Sequence, residues 1–180
     1  MSVQKAGKFL YFAYGSNLLK QRIHIQNPSA ERAGIGFLKD YQISFVTHSK
    51  RWQGASATII PKKSRVVWGA LWYLDNSHME SLDGQEGVHK NLYRVLHVDI
   101  ELPNGEKVKA RTYQQTVDAP DVDDFKDLPH ECRPSFPYLR TILVGAEESD
   151  LPKEYREFLQ TIPHNGYDGP VDIGLPLNFK

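Results

Sequence analysis

The sequence predicts an α+β fold: a mostly antiparallel sheet able to close as a small barrel, with helices inserted between and after the strands. Three observations point there. Apolar runs rich in Ile, Val, Phe and Trp recur at strand length between residues 9 and 113, separated by turn residues. Asn104-Gly105 lies between an alternating segment and its return, a strong hairpin signal. Helical spacing or helix-start residues occur near positions 18, 77, 136 and 152. A chain of 180 residues can bury a substantial core without disulfides. One domain over 1–180 is expected, with tails at 1–8 and 163–180.

Taken in order, Phe9 to Tyr14 is a continuous apolar run ending in Gly15, as expected of a strand buried on both faces. Leu18 to Ile25 has apolar residues at helical spacing and is stopped by Asn27-Pro28. This order aims a helix N-terminus, with its free N–H groups, at Gly15-Ser16-Asn17. Strands are expected at about 34–47, 55–60 and 66–74. Ser77 to Glu80 has the Ser-x-x-Glu spacing of a capping box, so a short helix should begin near Ser77. Gly84 and Gly87, on either side of Glu86, should end it. Leu92, Leu96, Val98, Ile100 and Leu102 alternate onto one face, and Lys107 to Tyr113 returns as the partner strand. The prolines and acidic residues of 115–137 indicate a long surface loop. Helices follow at 136–148 and at 152–161, the second opened by Pro152.

Apolar residues make up 40% and aromatics 11%, which excludes a disordered or low-complexity chain. Lys+Arg and Asp+Glu both number 22, so no net charge draws the molecule toward nucleic acid or an anionic membrane. Lys62-Lys63-Ser64-Arg65 is a local basic run, read most simply as a solvated turn between strands. The single cysteine, Cys132, rules out an internal disulfide. It stands either as a plain free thiol or as a nucleophile with a distant His. The seven histidines show no i,i+4 pairing, so no metal and no other cofactor is expected. No apolar stretch has the length of a signal peptide or a membrane span, and a soluble, cytoplasmic protein is expected.

Two constellations could carry chemistry. Tyr14-Gly15-Ser16-Asn17-Leu18 is either an ordinary strand-to-helix turn with a capping Ser or Asn, or an anion cradle of backbone N–H groups. Glu86 is either one solvated carboxylate among many, or a base. Held in an apolar pocket, with Trp68, Trp72 and Tyr93 on adjoining segments, a carboxylate gains proton affinity and can exchange protons near neutral pH.

Together these residues resemble the γ-glutamylcyclotransferase family, and its animal branch in particular. The resemblance rests on Phe9-Leu10-Tyr11-Phe12-Ala13-Tyr14-Gly15-Ser16-Asn17-Leu18 and, about 70 residues on, Leu82-Asp83-Gly84-Gln85-Glu86-Gly87-Val88. Arg22-Ile23-His24, Asn27-Pro28-Ser29-Ala30, Val67-Trp68-Gly69, Tyr138, Val144-Gly145-Ala146 and Leu151-Pro152-Lys153-Glu154-Tyr155 are similar too. Residues 9–160 match in order except 114–135, and 163–180 also match nothing. The resemblance implies a small mixed β-barrel surrounded by helices. It implies a substrate loop at Tyr11, Phe12, Ala13, Tyr14, Gly15, Ser16, Asn17 and Leu18, the catalytic carboxylate at Glu86, and further substrate contacts at Tyr93 and Tyr138.

The implied reaction is cyclisation of a small γ-glutamyl compound to 5-oxoproline with release of the attached amine, without a cofactor. A homodimer is also implied. Glutathione or a γ-glutamylamine stand as alternative substrates, although the Tyr-Gly-Ser-Asn-Leu form is closer to the branch acting on γ-glutamyl amino acids. A non-catalytic metabolite-binding or interaction module on the same fold is a reading of another class, which an intact Glu86 disfavours.

Overall fold

In the computed structural model, which describes residues 5–173, the first apolar run forms β1 (Lys8–Ala13), with its last four residues buried. The short helix α1 (Lys20–Gln26) leads into two long strands, β2 (Glu31–Ser49) and β3 (Gly54–Asp75). Helix α2 (Met79–Gln85) precedes β4 (Tyr93–Glu101) and β5 (Lys107–Gln115), and α3 (Phe136–Glu148) and α4 (Lys153–Leu159) follow. The strands close into a barrel in the order β1-β3-β2-β4-β5. Every ladder is antiparallel except the closing one, where Tyr11 of β1 meets Arg111 of β5 in parallel. The seams that close it are short, one residue pair between β1 and β5 and one, Phe37 with Glu101, between β2 and β4, and the β2–β3 hairpin runs on beyond them. The predicted class, a small mixed barrel with helices around it, is the one observed.

The expected strands at 55–60 and 66–74 are one strand. Lys39 pairs with Val66 and Tyr41 with Pro61, so Lys62–Arg65 stand opposite the single residue Asp40. Asp40 and Ser64 both adopt left-handed backbone there, and the Asp40 carboxylate accepts a hydrogen bond from the Ser64 N–H at 3.0 Å. The interruption also houses Pro61, which has no N–H for an unbroken ladder. The basic run is therefore a bulge, and Lys62 is engaged by Asp121 and Asp123 from the loop after β5.

Other boundaries moved for local reasons. The chain leaving β3 makes a 3-10 turn at Asn76–His78, so α2 starts at Met79 without any side-chain cap; the Ser77–Glu80 box is not formed. Gly84 lies inside α2, and the left-handed Gly87 (φ 71°) alone turns the chain away. Leu92, expected on the buried face, is 52% exposed because it precedes β4 and bridges backbone to Gly87 and Thr116 instead. Of the expected tails, residues 1–4 and 174–180 lie outside the described residues. Lys8 opens β1, and Ile173 is buried.

The helix expected to begin at Leu18 is divided. Ser16–Leu18 form a single 3-10 turn, Leu19 is extended, and α1 starts only at Lys20. Helix α3 packs directly on that turn. A Cβ at Gly145 would lie 2.7 Å from the Leu19 backbone nitrogen and 2.8 Å from the Leu18 Cβ. The Leu18 carbonyl is further held by the Ser149 hydroxyl (3.0 Å) and the Arg32 guanidinium (3.2 Å). Gly145→Ala is expected to push α3 off the turn and cost about 1–3 kcal/mol, as overpacking does. Calorimetry should register a Tm lower by roughly 3–10 °C. An unchanged Tm would mean that the close approach is not needed.

Candidate active site

Successive side chains of a strand point to opposite faces, so along β1 Tyr11 lines a cavity while Phe12 is fully buried on the other side. Beyond β1, Tyr14, Gly15, Ser16 and Asn17 continue around the same cavity. With Ala57, Glu86, Tyr93, Thr112, Tyr113 and Tyr138 they line this volume of about 70 Å³. Phe12, Ala13 and Leu18 do not reach it. Phe12 and Ala13 close the core against Gly69, and Leu18 is buried under Gly145. A wider groove of about 640 Å³, lined by Lys5, Lys8, Tyr73, His97 and Arg111 among others, contains none of the expected site residues. Its cations are already paired: Lys5 with Glu31, Lys8 with Glu31 and Asp75, Lys109 with Asp99, and Arg111 with Asp83.

Glu86 is the residue at which α2 stops. Its N–H still donates to the Leu82 carbonyl at 3.1 Å, and the turn at Gly87 directs the chain onward. Two clamps pin this end of α2. Asp83, one turn back, receives a two-pronged hydrogen bond from Arg111 of β5 (3.0 Å from Nε) and another from the Tyr113 hydroxyl at 2.6 Å. Gln85 exchanges a pair of amide hydrogen bonds with Asn27, at the end of α1, at 2.9 and 3.3 Å. Burial opposes the Asp83 charge, but the Arg111 and Tyr113 hydrogen bonds outweigh it and hold that carboxyl below its ordinary range. Among the described residues the Glu86 carboxyl itself has no hydrogen-bond partner. The residue is half-buried and lines the cavity. That burial raises its pKa to about 7, against a lowering by Arg22 and with a smaller push upward from Asp83.

The phenols are arranged by their hydrogen bonds. The Tyr93 hydroxyl donates to the Ala57 carbonyl at 2.9 Å, while the Tyr138 hydroxyl accepts from the Ala57 N–H at 3.0 Å. One strand residue therefore positions both rings. Tyr138 sits in the first turn of α3, where the buried Ser135 caps its N–H, and Pro137 suits the first turn. The Tyr11 hydroxyl accepts from Asn17 at 3.2 Å, and Tyr14 donates to the Tyr113 carbonyl. Burial keeps all of these phenols protonated, with Tyr138 pushed up to about 12. Among the described residues the hydroxyl hydrogens of Tyr11 and Tyr138 find no acceptor, nor do the N–H groups of Gly15, Ser16 and Asn17. The cavity thus offers several donors that have no acceptor within the protein, beside one carboxyl poised to exchange a proton.

Five of the eight expected loop residues and Glu86, Tyr93 and Tyr138 come together here. Trp68 and Trp72 do not. Trp68 stacks on Phe37, and Trp72 is fully buried beneath Arg32. The aromatic lining is supplied instead by tyrosines from β1, β4, β5 and α3. Ala57, Thr112 and Tyr113 escaped the sequence reading, because no local pattern reveals which strand ends converge. Asp83 could have been found from its i,i+3 spacing to Glu86 on a short helix. Cys132 does not line the cavity, and burial together with Glu131 raises its thiol pKa, so little thiolate is present to act as a nucleophile. Among the described residues no group of three or more His, Cys, Asp and Glu side chains could hold a metal, and no helix is long and apolar enough to cross a membrane.

Comparison with known proteins agrees with this geometry. Residues 66–159 match the model of the AIG2-like family. The mouse gamma-glutamylcyclotransferase is 38% identical over 172 residues, covering 93% of this chain and 86% of that protein. The human gamma-glutamylcyclotransferase is 39% identical over 167 residues, covering 91% and 83%. A solved gamma-glutamyl cyclotransferase structure superposes with a TM-score of 0.83 at 37% identity, covering 92% of this chain and 94% of the other. On the matched family model, the identity to these relatives and the shared barrel, the chain belongs to the AIG2-like, gamma-glutamylcyclotransferase family.

Proposed function

We infer that the chain is a γ-glutamylcyclotransferase, cyclising a small γ-glutamyl compound to 5-oxoproline and releasing the attached amine. The observation that carries the reading is Glu86: a carboxyl with a pKa near 7, facing a cavity otherwise lined by neutral donors. The family relatives supply the reaction class, and the cavity's chemistry suits it.

The substrate's α-amino group is protonated at neutral pH and cannot attack until it loses a proton. Glu86, ionised, takes that proton. The freed nitrogen attacks the γ-carbonyl carbon, and a carbon–nitrogen bond closes the five-membered ring. The oxygen, now carrying the electron pair, is held by the unengaged N–H groups of Gly15, Ser16 and Asn17 or by the Tyr11 and Tyr138 hydroxyls. On collapse, the bond to the departing nitrogen breaks and Glu86 returns its proton there. Two protons leave the attacking nitrogen overall and two reach the departing one, so no water is consumed. Acid–base help of this kind is worth about 10²–10⁴ in rate. Holding amine and carbonyl together can contribute roughly 7–11 kcal/mol more.

The test is direct measurement of 5-oxoproline from γ-glutamyl-alanine, glutathione and γ-glutamyl-ε-lysine. We expect γ-glutamyl-alanine to react best; no product from any of the three would remove the reading. The pH profile is a second check. Because the base must be ionised, kcat/KM should climb about tenfold per pH unit below 7 and level off above it. An acid limb centred near pH 4.5 would mean that burial does not tune this carboxyl.

A further inference from the structure

Arg22 is only 8% exposed, yet its Nε has no hydrogen-bond partner, and among the described residues its guanidinium makes no other hydrogen bond. A buried guanidinium carries five donors and a permanent charge, and leaving them unmet is costly unless something else satisfies them. The side chain lies over the ring of Trp52 at 5.6 Å, and Trp52 stacks at 4.8 Å on Tyr138, which lines the cavity. The charge of the exposed Arg51 acts on it, as do Tyr138, Glu86 and Tyr11 of the cavity. Burial, and after it the Arg51 charge, lower the Arg22 pKa, while Glu86 and the phenols favour its charged form. A buried guanidinium whose Nε has no hydrogen-bond partner, within electrostatic reach of the cavity's Glu86, Tyr11 and Tyr138, has the chemistry of a receptor for an anion that arrives from outside.

We propose that Arg22 is a specificity-determining residue: on the Trp52–Tyr138 side of the cavity it receives the carboxylate of the departing amino acid. The proposal rests on the γ-glutamyl reading above and deepens it. It selects γ-glutamyl amino acids, which carry that carboxylate on the leaving part, over γ-glutamyl compounds that do not. Lys at position 22 would keep the charge but lose the two-pronged geometry.

The test compares γ-glutamyl-alanine with γ-glutamyl-alaninamide, which has the same shape without the second carboxylate. In the unaltered protein the KM for the acid should be about 10–100-fold below that for the amide, the scale of a charge-assisted hydrogen bond. In Arg22→Met the two KM values should converge, the amide's staying where it was, and Arg22→Lys should recover part of the difference. Equal KM values in the unaltered protein overturn the proposal whatever the variants do. So does an Arg22→Met protein whose KM rises equally for both, or whose pH profile alone shifts, since Arg22 would then act only on Glu86. Failure of the underlying reading looks different: neither compound yields 5-oxoproline. In that case, calorimetric affinities for the same pair, in the unaltered protein and Arg22→Met, decide the proposal by the same criteria.

Discussion

Glu86→Gln is expected to lower kcat by about 10²–10⁴ while moving KM by no more than two- or threefold. Gln has nearly the same shape, and the groups that position residue 86 do not touch its side chain. Asp83 is gripped by Arg111 and Tyr113, Gln85 by Asn27, and the residue 86 N–H by the Leu82 carbonyl. The cavity should therefore keep its form and its donors, and lose only the group that moves the proton. Steady-state kinetics on γ-glutamyl-alanine, read as 5-oxoproline, make the comparison. Unchanged turnover would take Glu86 out of the mechanism. A rise in KM with kcat preserved would make it a binding group instead.

The same substitution should stabilise the protein at neutral and alkaline pH, by about 3 kcal/mol. The sign follows from where the proton binds. The folded chain holds the Glu86 proton up to about pH 7, whereas an unfolded chain releases it near 4.5. Between those values the folded state binds more protons, so stability falls as pH rises through the window. Below pH 4.5 the group is protonated in both states and costs nothing; above 7 the whole penalty of the buried charge is present. Urea unfolding at pH 4 and pH 8, for both proteins, reads the difference. The unaltered chain should be the less stable at pH 8 and equal to Glu86→Gln at pH 4. Equal stability at both values would show the carboxylate to be well solvated and remove the physical basis for its proton exchange near neutrality. Stability given up in this way at a reacting group is the usual companion of activity.

Much of this molecule is legible in its sequence where the deciding interactions are local. The run Phe9–Tyr14, the Asn104-Gly105 hairpin and the helix at 136–148 each follow from neighbours a few residues apart: apolar period, a left-handed turn residue, a capping Ser135 with Pro137 behind it. Glu86 and the Gly15-Ser16-Asn17 turn could be singled out for the same reason, as chemistry-bearing residues set in recognisable local motifs. Local pattern misleads where the deciding partner is far along the chain. Lys62–Arg65 reads as a break between strands, but pairing of β2 with β3 on both sides turns it into a bulge within one strand. Leu18 reads as the start of α1, but packing against Gly145 and bonds from Ser149 and Arg32 hold it in a separate 3-10 turn with Ser16 and Asn17.

The class of fold, the two motifs and the type of chemistry they can perform are thus legible in local pattern. It takes the closed barrel to bring Tyr11, Tyr93, Tyr113 and Tyr138 from four different elements, and Tyr14 from the loop after β1, around the cavity that Glu86 faces, with no tryptophan among its lining residues, and to set Ala57 where it orients two of them. The same closure buries Arg22 with no hydrogen-bond partner for its Nε. The physical reason is the same throughout. Local propensity depends on residues within a turn or two, whereas desolvation and unmet hydrogen bonds depend on everything the fold brings near. The pKa of Glu86 and the reach of its neighbours are therefore properties of the closed barrel and not of any segment of it.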